Sequence, residues 1–247
     1  MDKKKFQKFK SNAIAADEII KTQLEFLEKN VDFSQGYRPS SHNMSGKLEG
    51  VAAFSMWHPR AVKFCQAMGR SPERICAYCY FARAMILFRS SVAQKVIKCA
   101  FFHERGNLIQ PVRLRKQLLR FNSFGELSSE SEVEWFFDCA DRQQHMPAAL
   151  YTKRPEIVQR VLKYRECPDN LVLIYSWPWI GEYKEPTERD IPQGFHKIFA
   201  VYENYSDRIN CGQRICVNCQ LCYHRKGEKI IRELEKEEAL KIFGERT

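Results

Sequence analysis

Ten cysteines stand in this chain of 247 residues, and seven of them fall into two groups whose spacing can do chemistry. Cys211, Cys216, Cys219 and Cys222 are separated by four, two and two residues. Two-residue gaps let successive thiolates converge on one centre. Four thiolates fill either a tetrahedral zinc site or the corners of an iron–sulfur cluster. Zinc sites usually pair two C-x-x-C knuckles across a longer spacer, whereas a compact C-x-x-C-x-x-C run is more typical of iron–sulfur binding. Four unliganded thiols on a loop would expose reactive groups for no gain. The second group is Cys65, Cys76 and Cys79. Three ligands on a four-iron cluster leave one iron open to bind and activate a ligand; closed sites are structural, open ones do chemistry. The alternatives here are a zinc knuckle completed from elsewhere and plain core cysteines. Cys99, Cys139 and Cys167 are isolated, the first two among apolar neighbours in helical text, as buried thiols are. His58, His103, His145 and His196 show no ligand spacing, and His224, close to Cys222, is either a spare ligand or, the favoured reading, a surface residue.

The elements that must position these groups alternate. Gly50 to Met56 reads as a first strand, followed by a long loop that carries the cysteine trio and helical text from Phe81 to His103. Leu118 to Phe124 reads as a strand and Ser128 to Arg142 as a helix, with Ser128 and Ser129 as cap candidates and acids in its first turn. Ala148 to Thr152 is a short strand, and Pro155 opens a helix that runs to Tyr164. Leu171 to Trp177 and Lys197 to Tyr202 are two more apolar strands. Strands alternating with helices imply an α/β fold with a parallel sheet and crossover helices. Four or five such units are too few for a closed eight-fold barrel, so a partial (β/α) barrel or an open, doubly wound parallel sheet is expected. Ile19, Ile20, Leu24 and Leu27 give a helix behind a basic arm, and residues 32–47 are turn-rich. Ile230, Ile231, Leu234, Leu240 and Ile242 give a charged helix over the tail from Lys226 to Thr247. The expected organisation is an arm and helix over 1–45, an α/β core over 46–205, and a small cysteine-rich metal module with a C-terminal helix over 206–247.

Composition bounds the function. Seventeen Phe, ten Tyr and four Trp exclude a disordered chain. No apolar run approaches the length that crosses a bilayer, and the N-terminus lacks the apolar segment of a secretory signal, so a cytoplasmic protein is expected. In a reducing compartment ten cysteines are not a disulfide framework. The net charge of +10 suits a polyanion without identifying one; a basic solvated surface is the bland reading. Tyr175-Ser176-Trp177-Pro178-Trp179 is an aromatic strand end that either packs or stacks a nucleobase.

At this point the motifs resemble a family. A three-cysteine loop after the first strand, with Tyr78 just before the last cysteine, is similar to the signature of radical S-adenosylmethionine enzymes. The ten residues between Cys65 and Cys76 exceed that family's usual spacing. Phe124-Gly125-Glu126 resembles the Gly-Gly-Glu that ends the family's second strand, with one glycine missing. Ala149-Leu150-Tyr151-Thr152-Lys153-Arg154-Pro155 is similar to a strand end of phage-encoded three-cysteine families. Lys47-Leu48-Glu49-Gly50-Val51 resembles the entry to the first strand in the phage "gene product eighty-eight" family, the closest in overall layout.

The resemblance implies two 4Fe-4S clusters and S-adenosylmethionine. Cys65, Cys76 and Cys79 would hold the first cluster, whose open iron binds the amino and carboxylate groups of S-adenosylmethionine. One-electron reduction, from a donor such as flavodoxin or ferredoxin, then cleaves the sulfonium to a deoxyadenosyl radical that abstracts hydrogen from substrate. Gly125 and Glu126 would meet the cofactor's ammonium, Lys153 or Arg154 its carboxylate, and Tyr78 its adenine. Their plainer readings are a helix N-terminal carboxylate for Glu126 and a solvated pair for Lys153 and Arg154. Cys211, Cys216, Cys219 and Cys222 would hold an auxiliary cluster, with zinc as the alternative. Substrates permitted by the basic balance include a nucleic acid or nucleotide. Two other function classes compete: a zinc-stabilised nucleic-acid-binding protein without catalysis, and a non-catalytic iron–sulfur protein for electron transfer or redox sensing.

Overall fold

A computed structural model describes residues 22, 25–41, 44, 46–79, 95–212 and 214–235. The chain divides into two compact units. One comprises Met1–Pro39, Ser55–Gln110 and Phe124–Ser128; the other comprises Ser40–Phe54, Pro111–Ser123 and Ser129–Thr247. Among the described residues no helix is long and apolar enough to cross a membrane.

The second unit carries a six-stranded sheet, all parallel: β1 Val51–Phe54, β2 Leu118–Phe121, β3 Ala148–Thr152, β4 Leu171–Ile180, β5 Lys197–Tyr202 and β6 Ile230–Leu234. Spatial order equals chain order, β1 to β6. A doubly wound sheet reverses direction at a switch point, and this one does not, which removes that alternative. The expected tail helix is also corrected: Ile230, Ile231 and Leu234 belong to β6, paired with β5. Its five residues bury Ile230, Ile231 and Leu234 against the sheet, and tertiary packing overrides a helical spacing of charges. Leu240 and Ile242, like Ile19, Ile20 and Leu24, lie outside the described residues. Residues 25–30 are helical, with Leu27 buried.

Helices cover one sheet face. Helix α2, Glu130–Arg142, starts at Ser129, whose hydroxyl accepts from Glu132 N at 3.3 Å, with Glu130 and Glu132 in its first turn. It places the Phe136 ring 4.8 Å from Phe121 and the Trp135 ring 6.3 Å from Phe54. Asn170 fastens its far end, donating to the carbonyls of Ala140, Gln143 and Met146. Helix α3, Pro155–Val161, begins at a proline where no amide partner is needed. The expected strand at Leu171 runs on to Ile180, and its register against β5 slips between Ser176 and Ile180, where Pro178 sits. The aromatic end is a packing cluster: Trp177 is buried with Ile198, Ala200 and Tyr202, and its Nε1 donates to Lys184 O at 2.7 Å.

The opposite face is built from Val51, Leu118, Ala149, Tyr151, Val172, Ile174 and Ile231, and is covered by Cys222 and Tyr223 with Cys211, Cys216 and Val217 beside them. Alternation along strands in register puts Arg120 and Lys197 on this same face. Lys47, ahead of β1, forms an ion pair with Glu233 of β6.

His196, ahead of β5, titrates with this fold. Its Nδ1 accepts from Leu173 N at 2.9 Å, which requires an unprotonated Nδ1, and burial together with Arg225, Lys229 and Lys197 pushes it from 6.5 to about 4. A depressed histidine stabilises the fold above its unfolded value, and that contribution is lost as pH falls from about 6.5 through about 4. Chemical denaturation from pH 7 to pH 4 is expected to fall less steeply for His196→Asn, which keeps an acceptor that does not titrate. Parallel curves would place the acid sensitivity elsewhere.

Candidate metal centres

The cysteine trio lies wholly in the first unit. The expected long loop is a helix followed by a tight turn. Helix α1, Pro59–Met68, is capped by His58, whose Nδ1 accepts from Arg60 N at 3.1 Å and whose Nε2 is held by Glu104 at 3.0 Å. Cys65 sits in its last turn, and its carbonyl accepts from Gly69 N at 2.9 Å. A side chain on Gly69 would meet Cys76 O at 3.1 Å and Cys65 O at 3.4 Å. The glycine therefore lets the backbones of Cys65 and Cys76 close on one another, which absorbs the long spacing. Arg74 Nη1 contacts Met68 Sδ at 2.9 Å and fastens the turn to the helix. Ile75–Tyr78 form a 3₁₀ turn, so Cys76 and Tyr78 lie on it and Cys79 follows immediately. Cys79 packs against Leu27, Trp57, Ala61, Val62, Val96, Ile97 and Phe101.

Gly125 and Glu126 belong to the same unit, and Phe124 packs against the same apolar cluster as Cys79. Phe124 N donates to Ser55 Oγ at 3.1 Å. Gly125 has φ +79° and lies so close to Met56 and Trp57 that a side chain would reach Met56 O at 2.6 Å. Glu126 is 3% exposed and its Oε1 accepts from Leu127 N at 2.9 Å. It precedes Ser129, the N-cap of α2, so the helix-terminal role falls instead to Glu130 and Glu132. Lys153 and Arg154 lie in the second unit, after β3. Arg154 N donates to Thr152 Oγ1 at 2.9 Å, and its Nε pairs with Glu156 at 3.0 Å.

The four C-terminal cysteines belong to the second unit, on the stretch between β5 and β6. Cys211 N donates to Arg232 O at 3.0 Å, bridging to β6. Cys216 and Cys219 begin and end a single helical turn, α4, which Gln220 closes in the left-handed region at φ 51°. Cys222 is buried beyond it. The motif Lys47-Leu48-Glu49-Gly50-Val51 acquires a physical role here. Leu48 joins the cluster beneath the cysteines, and Gly50, at φ +81°, receives Val217 of α4, whose Cγ1 would lie 2.9 Å from a side chain there.

The four thiols lie within electrostatic reach of one another. Burial lifts the Cys216 thiol, Lys47 and Arg120 pull against it, and Cys211 and Cys219 add to it. Burial and Cys211 push Cys222 up to about 12, against the Tyr151 hydroxyl and Arg120. None of the ten cysteines forms a disulfide. Among the described residues no three His, Cys, Asp or Glu side chains converge closely enough to hold a metal ion as they stand. Uptake of an ion at Cys211, Cys216, Cys219 and Cys222 therefore requires the stretch 211–222 to close upon it, which couples binding to folding.

The fit to an anionic centre rests on cations that the sequence did not single out. Arg120 stacks its guanidinium 4.0 Å above the Tyr151 ring, its Nε closed off without a hydrogen-bond partner. Its electrostatic neighbours are Tyr151, Tyr223, Cys222 and Cys216, and among the described residues no carboxylate pairs with it. Lys197 is fully buried and donates to Leu221 O at 2.8 Å and Lys226 O at 3.2 Å. Desolvating a cation costs several kcal/mol, against about 1 kcal/mol for an ordinary hydrogen bond. Protonated thiols do not offset that; thiolates do. The signal in the sequence is a charged residue at an inward position of an apolar strand, Leu118-Leu119-Arg120-Phe121. Cys99 and Cys139 are buried core thiols, each pushed up to about 12 by desolvation. His224 is exposed and bonded to Gln220 at 2.9 Å.

The family model described as Gene product 88 matches residues 33–209, a span that contains the trio, Glu126 and Arg154 and ends before Cys211. No curated protein and no solved structure matches the chain.

Proposed function

The chain belongs to the Gene product 88 family, a phage protein family, and from that premise we propose that it is an iron–sulfur enzyme of radical S-adenosylmethionine type. Cys65, Cys76 and Cys79 hold a 4Fe-4S cluster with one open iron, and Cys211, Cys216, Cys219 and Cys222 hold a second metal centre. When bound, the open cluster supplies the electron that cleaves S-adenosylmethionine. The observation that supports the reading is the approach of the Cys65 and Cys76 carbonyls at Gly69, with Cys79 directly after the 3₁₀ turn that bears Cys76; the three thiols must still close around a cluster. Buried Glu126 shares the first unit with the trio and offers a carboxylate to the ammonium of S-adenosylmethionine, while Tyr78 offers a ring to its adenine. The connections leaving the carboxyl ends of β1 and β2 carry these residues, as they carry the chemistry in (β/α) barrels. The sequential strand order supports a partial barrel.

The test is metal and sulfide content of protein purified without oxygen, followed by S-adenosylmethionine cleavage under dithionite. About eight iron and eight sulfide per chain, with cleavage, is the expected result. Iron and sulfide without cleavage would leave an electron-transfer or redox-sensing protein, and zinc without sulfide would leave a zinc-stabilised nucleic-acid binder. Either would overturn the proposal.

A further inference from the structure

We propose that Arg120 is the internal counter-cation of an anionic metal–thiolate centre at Cys211, Cys216, Cys219 and Cys222, with the Tyr151 and Tyr223 hydroxyls donating to its sulfur. The inference rests on the metal reading of those four cysteines. It stands on placement: Arg120 lies on the sheet face that the cysteine stretch covers, over the Tyr151 ring, facing Cys216 and Cys222. Its Nε and the Tyr223 hydroxyl are enclosed without hydrogen-bond partners, two donors aimed into the same cluster of residues. The Tyr151 hydroxyl is likewise enclosed without a hydrogen-bond partner, in the same cluster as Cys222.

The charge balance is specific. Binding of a metal converts four thiols to four thiolates, and their protons leave to solvent. A divalent zinc ion in four thiolates carries two negative charges, and so does an oxidised 4Fe-4S cluster. Arg120 and Lys197 supply two positive charges from the sheet below. Lys197 is already engaged by the backbone carbonyls of Leu221 and Lys226, and Lys47 by Glu233, whereas the enclosed Arg120 Nε has no hydrogen-bond partner. Donors to ligand sulfur hold a thiolate centre and set its potential.

A cobalt(II) titration of the full chain carrying Cys76→Ala and Cys79→Ala reads this centre alone, through sulfur-to-cobalt absorption. Arg120→Met is expected to weaken cobalt binding at least tenfold, and Arg120→Lys to restore it to within about threefold. Thermal melting gives the second readout. Without metal, Arg120→Met melts no lower than its parent, because an uncompensated cation has been removed; with cobalt, it melts lower. If the parent chain shows no thiolate–cobalt spectrum, the metal reading of the four cysteines fails. If the spectrum appears and Arg120→Met binds equally, the counter-cation role fails while the site stands. A variant that melts lower in both states, or does not fold without metal, shows a packing role and overturns the proposal.

Discussion

Replacing Cys76 and Cys79 together by alanine is expected to remove about half of the iron and all dithionite-driven cleavage of S-adenosylmethionine. The two residues sit at the second position and the exit of one 3₁₀ turn, so the change deletes two of three thiolates while the turn keeps its backbone bonds. A four-iron cluster cannot be retained on the remaining Cys65. The C-terminal cysteines lie in the other unit, and under the proposed reading they are expected to keep their own metal. Iron and sulfide analysis of parent and variant, side by side with the visible spectrum, measures this. Unchanged iron would show that the trio does not hold a cluster. Loss of all iron from both groups would show that the two centres do not form independently.

Gly125→Ala is expected to cost about 3 kcal/mol of stability and to lower the melting temperature by about 10 °C. Two effects add. A non-glycine residue held in the left-handed region costs about 1–2 kcal/mol, and Gly125 stands at φ +79°. Forcing a methyl into a filled space costs about 1–3 kcal/mol, and here it would meet Met56 O at 2.6 Å and Trp57 Cβ at 2.9 Å. The obstacle is partly backbone, which does not swing aside as a side-chain tip does. Gly106→Ala is the control: its φ is +72° and nothing lies within 4 Å of a side chain there, so only the conformational part is lost. Equal losses at the two positions would show that the Met56–Trp57 contact adds nothing.

Most of the sheet is legible in the sequence because each strand is a short apolar run bounded by turn residues. Ala148-Ala149-Leu150-Tyr151-Thr152 is such a run, and β3 covers it residue for residue. Period and length failed at the tail, where Ile230, Ile231 and Leu234 carry a helical spacing but bury into a sheet whose edge needs a sixth strand. The trio was legible as residue types but not as a path. Nothing local in residues 66–75 announces that Gly69 lets two distant carbonyls approach; that is a property of the space left by a missing side chain. Arg120 and Lys197 are not legible in the sequence, because a single charge in an apolar strand looks incidental until the facing layer is known.

The sequential order of the six strands also sets a timetable for synthesis. Each new strand from β3 onward finds its partner already made, so each pairing closes only the one crossover that joins it to the preceding strand. The first pair is different, because the chain between Phe54 and Leu118 belongs mostly to the other unit and must be made before β2 can dock on β1. The last pair is different in another way. The stretch joining β5 to β6 is the one that bears Cys211, Cys216, Cys219 and Cys222, and β6 anchors Cys211 through Arg232. A nascent chain therefore completes its sheet and seats its four C-terminal cysteines in one step. If the proposed centre forms there, metal starvation is expected to show first as a ragged sixth strand and an open β5 edge, the surface on which unfinished sheets aggregate.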